Sequence, residues 1–178
     1  TGDIHINGQE GANTMILIDG MPIVSGLGSI YGLMGIPASL IKNIEVIKGP
    51  ASTLFGSEAI GGVININTID PRQTESTTFE SFYTNWDELN IDFGLSYGSK
   101  NHGILGVNYF NNDLVIDDNS DGFTDIVLQN RVSIFNKWTS GKFTVAARYF
   151  FEDRWGGQTT YNTQRDRLST SIYGEQIS

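Results

Sequence analysis

The feature that most constrains the fold is a strict alternation of apolar and polar residues after Pro71. The segment from Asn90 to Tyr97 is the clearest case, since every second side chain is apolar: Ile91, Phe93, Leu95, Tyr97. The segment from Lys142 to Phe150 repeats the rhythm with Phe143, Val145, Ala147, Tyr149. A period of two sends successive side chains to opposite faces of a strand. The sequence therefore predicts antiparallel strands with one apolar and one polar face.

Two architectures share this alternation. One is a transmembrane β-barrel, whose strands of about ten residues are joined by alternately short and long connections. Short connections at 98–103 and 139–142 and long ones at 113–125 and 154–170 have this arrangement. The other is a soluble antiparallel sheet with one wet face. Five or six strands are too few to close a wide barrel, and open strand edges do not stand in lipid. The barrel interpretation therefore makes the chain a fragment.

The first 70 residues combine short strands with turns. Three apolar runs predict strands: "MILIDG" (15–20), "NIEVIKGP" (43–50) and "GGVININT" (61–68). Short helical signals lie at "PASLIKN", with Pro37 as its first helical residue, and in "PASTLFGSEAIGG". We expect a domain boundary near residue 70, with a mixed α/β unit before it and strands after it.

Composition excludes several functions. There is no cysteine, so disulfides and thiol chemistry are absent, and the net charge of -9 argues against nucleic acid as a partner. The only histidines, His5 and His102, lie in different halves. The glycine-rich stretch 26–35 lacks the spacing and the βαβ surroundings of a dinucleotide-binding turn. We predict that the protein is not an enzyme and carries no organic cofactor.

Residues 15–68 carry the most specific signal. "ILIDGMPI" followed by "IEVIKGPASTLFGSEAIGGVININT" resembles the plug domain of TonB-dependent outer-membrane receptors. The motif positions that we expect to be structural are Asp19, Gly20, Glu45, Lys48, Gly49, Pro50, Gly61 and Gly62. The resemblance implies a mainly β protein: residues 1–70 are the C-terminal part of an α/β plug domain, and residues 71–178 are the first five to six strands of a transmembrane barrel of about 22 strands.

The resemblance also implies a function. Such receptors lie in the outer membrane of Gram-negative bacteria, in contact with its lipid, and import a scarce small-molecule nutrient. Their partner is the TonB–ExbB–ExbD energy machinery, which acts on an N-terminal segment that is not visible in this sequence; a surface lipoprotein is a further expected partner. The loop after "LIDG" reaches the plug apex in this family, so Ser25, Gly26, Leu27, Gly28 and Ser29 are predicted substrate contacts. Glu45 and Lys48 are expected either to pair with Arg131 or Arg148 on the barrel wall or to form a solvated ion pair.

The acidic loop "IDDNSDGFTDI" needs neutralisation, because its carboxylates are closely spaced. It matches the first nine positions of an EF-hand calcium loop, and the predicted ligands are Asp117, Asn119, Asp121, the Phe123 carbonyl and Asp125. Position twelve is Leu128 instead of glutamate, so Glu152 or Asp153 would supply the missing carboxylate. The alternative is a hydrated acidic turn. Cobalamin receptors of the family carry a similar loop, which makes cobalamin or a related corrinoid the first candidate nutrient; haem, siderophores and other metal chelates are the alternatives.

Overall fold

Two β-sheets make up the part of the chain that the structure, a computed structural model, describes: residues 6, 13–22, 36–49, 59–72, 77–99, 101–159 and 175–177. A four-stranded sheet forms from the N-terminal third, and a six-stranded sheet forms from the remainder. Across these ranges we find no helix with the length and hydropathy that crossing a bilayer requires.

The four-stranded sheet has the order β2-β1-β4-β3. Its strands are β1 (Thr14–Ile18), β2 (Met21–Pro22), β3 (Ile41–Lys48) and β4 (Gly62–Thr68). Strands β1 and β4 are parallel, and the other two pairings are antiparallel. The three predicted strands are confirmed. The predicted helix after Pro37 is only a 3-10 turn, Ala38–Leu40, because the β-branched residues that follow favour an extended chain and β3 begins at Ile41.

The six-stranded sheet is an antiparallel meander with the order β10-β9-β8-β7-β6-β5. Its strands are β5 (Thr77–Tyr83), β6 (Glu88–Tyr97), β7 (His102–Asn112), β8 (Leu128–Ser140), β9 (Phe143–Trp155) and β10 (Glu175–Ile177). The pairing of β6 with β7 and of β7 with β8 runs without a register shift. This sheet is the mainly β, alternating part that the sequence predicts.

One face of the six-stranded sheet is apolar, and we call it the outer face. A single row across five strands illustrates it: Phe79, Phe93, Val107, Ile134, Tyr149. Phe79 and Tyr149 are 67% and 58% exposed. The next row lies on the opposite, inner face: Thr78, Gly94, Gly106, Phe135, Arg148. The inner face is the one that contacts the four-stranded sheet.

A hydrophobic core joins the two sheets. Its buried members come from both: Ile16, Ile18, Ile36, Leu40, Ile66, Ile104, Phe135. Ile104 and Phe135 lie on the inner face of β7 and β8, where most neighbours are polar. A second small cluster, containing Leu17, Ala59 and Val63, lies within the N-terminal part.

Between the sheets, Asp70 and Arg72 form an exposed ion pair. Arg72 donates to Asp70 through its backbone N–H at 2.9 Å and through its guanidinium at 2.8 Å. These hydrogen bonds from Arg72 lower the pKa of Asp70 to about 2.

Candidate functional site

The contact between the two sheets begins at a notch made by two glycines. Gly94 and Gly106 face each other in register on β6 and β7. A Cβ atom at Gly106 would lie 2.5 Å from Leu40 Cδ1, and one at Gly94 would lie 2.8 Å from Ser39 Oγ. The missing side chains therefore make room for the 3-10 turn of the four-stranded sheet. Next to the notch, Thr78 on β5 donates a hydrogen bond of 2.8 Å to Ser39.

A second contact is ionic and lies on β8. Lys137 Nζ donates to Asp19 Oδ2 at 3.0 Å and to Thr68 Oγ1 at 2.9 Å. Thr68 in turn donates to both oxygens of Asp19, through its N–H at 2.9 Å and its hydroxyl at 2.7 Å. The Lys137 and Asp19 side chains are only 14% and 20% exposed. One cation therefore connects the Asp-Gly turn after β1 and the end of β4 to the inner face.

This pairing differs from the predicted one. Glu45 accepts hydrogen bonds from Asn43 at 3.3 Å and from Asn65 at 3.4 Å, within its own sheet. Of the two arrangements expected for Glu45, pairing with Arg131 or Arg148 is therefore wrong. The sequence carried a usable signal for the observed contact, since Lys137 lies on the polar face of its strand and Phe135 interrupts that face with an aromatic ring.

The inner face between this contact and the long loops is strongly polar. Asn108 donates to Asn90 at 2.9 Å and to Asp92 at 2.8 Å, and Arg131 donates to Asn108 at 3.3 Å. The Arg131 guanidinium also lies 4.9 Å from the centre of the Phe110 ring. These contacts fix the side chains in position, because each polar group is held by a neighbour across the strands.

Glu152 belongs to the same face and is fully buried. Its Oε1 accepts a hydrogen bond from Gln129 at 2.8 Å and forms an ion pair with Arg154 Nη2 at 2.6 Å. Its Oε2 and the Oδ1 of Asn112 find no hydrogen-bond partner among the described residues. The face therefore contains guanidinium groups and buried acceptors side by side.

The acidic loop between β7 and β8 forms a tight turn around its own amides. Asp117 accepts from the N–H groups of Asp121 at 3.1 Å and Gly122 at 3.0 Å. Asn119 accepts from Asp121 N–H at 3.0 Å, and Asp125 accepts from Asp118 N–H at 2.7 Å. Gly122 has a φ of +83°, the left-handed conformation that the bend needs. Hydrogen bonds to backbone amides thus offset part of the repulsion between the carboxylates.

The acidic loop also pairs with the loop after β9. Phe123 forms a β-bridge with Gln158, and Thr124 N–H donates to the Gly157 carbonyl at 2.9 Å. Thr159 N–H donates to the Gly122 carbonyl at 2.8 Å. The two long connections therefore support each other at one end of the six-stranded sheet.

The turn brings together Asp117, Asn119 and Asp121, three of the predicted calcium ligands. No group of three Asp, Glu, His or Cys side chains poised for a metal occurs within the described ranges. The oxygen donors suit a hard cation such as calcium, and the ligand role of these residues, of Phe123, Asp125 and Asp153, and of Glu152 with its ion pair to Arg154, stays a prediction.

Of the other predicted site residues, some lie outside the described residues, and the rest lie in the turns and strands of the four-stranded sheet. Ser25, Gly26, Leu27, Gly28, Ser29 and Pro50 lie outside the described residues. Asp19 and Gly20 form the turn after β1, where Gly20 N–H donates to Asn65 at 2.9 Å. Gly49 and Gly62 have φ angles of +101° and +148°, and the Gly49 N–H donates to the Gly61 carbonyl at 3.4 Å.

A six-stranded amphipathic meander whose polar face holds a second, smaller sheet is the arrangement of a plugged outer-membrane barrel. Comparison with known proteins agrees. Residues 1–63 match the family model of the TonB-dependent receptor plug domain. Over 103 residues the chain is 37% identical to the vitamin B12 transporter BtuB of Vibrio vulnificus (strain YJ016). This match covers 57% of this chain and 14% of that protein. Over 95 residues it is 40% identical to the probable TonB-dependent siderophore receptor PirA of Acinetobacter baumannii, with 48% and 12% covered.

The fold agrees as well. The pyoverdine outer membrane receptor FpvA from Pseudomonas aeruginosa superposes with a TM-score of 0.57 at 17% identity, over 87% of this chain and 23% of that receptor. The chain thus spans only a small part of the proteins that it matches. Residues 1–63 thus carry the plug domain of the TonB-dependent receptors, and the fold is that of a stretch of such an outer-membrane receptor: the four-stranded sheet corresponds to part of the plug, and the six-stranded sheet corresponds to barrel wall.

Proposed function

We propose that the complete receptor imports a scarce nutrient across the outer membrane in an energy-coupled way, and that this nutrient is cobalamin or a related corrinoid. The observation that carries the proposal is the 37% identity to a vitamin B12 transporter over 103 residues. The acidic loop, which resembles that of cobalamin receptors, supports the same substrate.

The inner face supports a polar ligand of this kind. A corrinoid carries amide side chains, which both donate and accept hydrogen bonds. The amide and carboxylate groups of Asn90, Asp92 and Asn108 and the guanidinium of Arg131 on this face would match the two halves of such amides. The receptor would then bind its nutrient and let it pass without making or breaking covalent bonds, so it would need no nucleophile and no acid–base group.

Two further components belong to the proposal. Coupling to TonB–ExbB–ExbD would supply the energy that opens the plug. Calcium, held by Asp117, Asn119, Asp121, Asp125 and the Phe123 carbonyl, would supply positive charge that orders the two long loops.

Uptake by intact cells tests the substrate. The complete receptor gene is expressed in a Gram-negative host that lacks its own cobalamin receptor, with and without functional TonB. We expect radiolabelled cyanocobalamin to accumulate only when both the receptor and TonB are present. Equal accumulation in cells without the receptor would contradict the proposal.

A siderophore is the second candidate, favoured by the 40% identity to a siderophore receptor over 95 residues. The same cells, made deficient in siderophore receptors, are given iron-labelled enterobactin and pyoverdine. Accumulation of either iron chelate without accumulation of cyanocobalamin would establish this candidate instead of the first.

A further inference from the structure

The four-stranded sheet and the barrel wall share one hydrophobic core. Ile104 and Phe135 of the wall are 0% and 2% exposed, and they pack in the same cluster as Ile16, Leu40 and Ile66. A core of this kind usually belongs to a single folding unit, whereas surfaces that slide past each other are more polar. Separation of the two sheets would expose this core.

Two polar attachments flank the core. At one side the 3-10 turn fills the notch at Gly94 and Gly106, and Ser39 is bonded to Thr78. At the other side Lys137 holds Asp19 and Thr68. Withdrawal of the sheet would break the ion pair and the hydrogen bonds that Lys137 makes at its largely buried position.

We propose that these contacts, which we call the dock, keep the four-stranded sheet on strands β5–β8 while a nutrient passes. The sheet and this stretch of wall then act as one rigid unit, and the lumen opens by rearrangement outside it. The inference rests on the proposed import function and adds to it a statement about which part of the plug stays in place. Packed interfaces favour discrete arrangements over gradual deformation, so a unit with a common core moves together or stays together.

A reversible covalent lock tests the dock. The hydroxyl oxygens of Ser39 and Thr78 are 2.8 Å apart, so two cysteines at these positions bring their sulfurs close enough for a disulfide. The double variant Ser39→Cys/Thr78→Cys is made in the complete receptor, freed of other cysteines, and oxidised in cells. A gel shift, or a short bifunctional thiol reagent where oxidation is incomplete, confirms the link.

The chain offers a matched control. Thr139 and Thr144 have hydroxyl oxygens 3.2 Å apart on neighbouring wall strands, so Thr139→Cys/Thr144→Cys adds a similar link that joins wall to wall. Radiolabelled cyanocobalamin and iron-labelled enterobactin are the probes. We expect the oxidised dock variant to accumulate the transported probe within twofold of its reduced form, as the control does. Loss of uptake on oxidation, restored by reductant and absent from the control, would overturn the dock.

A second measurement does not need the nutrient. If the wild-type receptor transports neither probe, the proposed substrates fail, and the dock is judged by the conductance of the purified receptor in planar bilayers at rising urea concentration. We expect the oxidised and reduced dock variants to open at the same urea concentration. A channel that opens only after reduction would contradict the proposal.

The contribution of Lys137 is tested by the reactivity of the two cysteines in the reduced Ser39→Cys/Thr78→Cys variant. Adding Lys137→Met should make these cysteines react with a thiol reagent at lower urea, because the cationic attachment of the dock is lost, and should leave the urea concentration of channel opening unchanged. The exchange Asp19→Lys/Lys137→Asp should recover part of the protection, which a purely structural loss would not allow. Unchanged cysteine reactivity in the presence of Lys137→Met would remove Lys137 from the dock.

Discussion

At the scale of single residues, backbone geometry explains several positions of the plug motif. Gly62 has a φ of +148°, and a Cβ atom there would lie 2.5 Å from the Ile47 carbonyl oxygen. Gly49, directly after the adjacent strand β3, also has a positive φ, yet a Cβ atom would meet nothing within 4 Å. Both glycines permit unusual dihedral angles, but only Gly62 is required by close approach of the backbone.

We therefore predict that Gly62→Val destabilises the protein much more than Gly49→Ala. The strained φ costs on the order of 1–3 kcal/mol at either position, and at Gly62 overlap with the backbone adds to it. Thermal unfolding of the purified receptor, followed by circular dichroism, measures the difference. Similar losses of stability in the two variants would show that backbone strain, and not the contact with Ile47, explains why glycine is needed at Gly62.

The Asp70–Arg72 pair predicts a pH dependence. The pKa of Asp70 is about 2, below the ordinary value of 3.8, so the charged carboxylate contributes stability above pH 3.8 that is lost as the pH falls towards 2. Arg72→Met should raise this pKa towards 3.8, and Arg72→Lys should raise it less, since lysine keeps the charge but not the paired hydrogen bonds. Isotope-edited infrared spectroscopy of the carboxylate measures the shift. An unchanged pKa in Arg72→Met would contradict the assignment of the cause.

At the scale of elements, alternation predicted the wall strands because it depends only on the two faces of each strand. What alternation could not predict is where the faces meet other parts of the molecule. Ile104 and Phe135 are apolar residues on a polar face, and only the register across three strands shows that they lie beside Lys137 and the glycine notch. The wrong partner for Glu45 has the same origin, because charge alone does not give distance.

The acidic loop was recognised from its spacing, and its proposed role is to bind a calcium ion. We predict that Asp117→Ala/Asp121→Ala weakens binding of cyanocobalamin in the presence of calcium and has little effect in a calcium chelator. The physical reason is the loss of two carboxylates from an oxygen-donor set. Isothermal titration of the purified receptor measures both conditions, with Asp118→Ala as a control because that carboxylate lies outside the predicted ligand set. Equal affinities of the variant and wild type with calcium would reject the site.

At the scale of the whole molecule, the two faces of the wall have different surroundings. The inner face is covered in part by the four-stranded sheet, whereas the outer face presents apolar rows with aromatic side chains that are more than half exposed. A soluble sheet would hide such a face against a second layer. In the outer membrane, lipid covers it, so its apolar character contributes to stability only in a bilayer.

This placement gives a prediction that separates a membrane wall from a soluble sheet. Ile134 lies in the middle of the outer face, and Ile134→Arg should reduce the free energy of unfolding in lipid by about 2–4 kcal/mol. Asn130 lies on the same face at the loop end of the same strand, and Asn130→Arg should cost about 0–1 kcal/mol there. Guanidinium unfolding of the complete receptor from lipid vesicles, followed by tryptophan fluorescence, measures both. If arginine at Ile134 were no more costly than at Asn130, the face would meet water and not lipid, because the cost of a buried charge depends on the depth of the hydrocarbon around it.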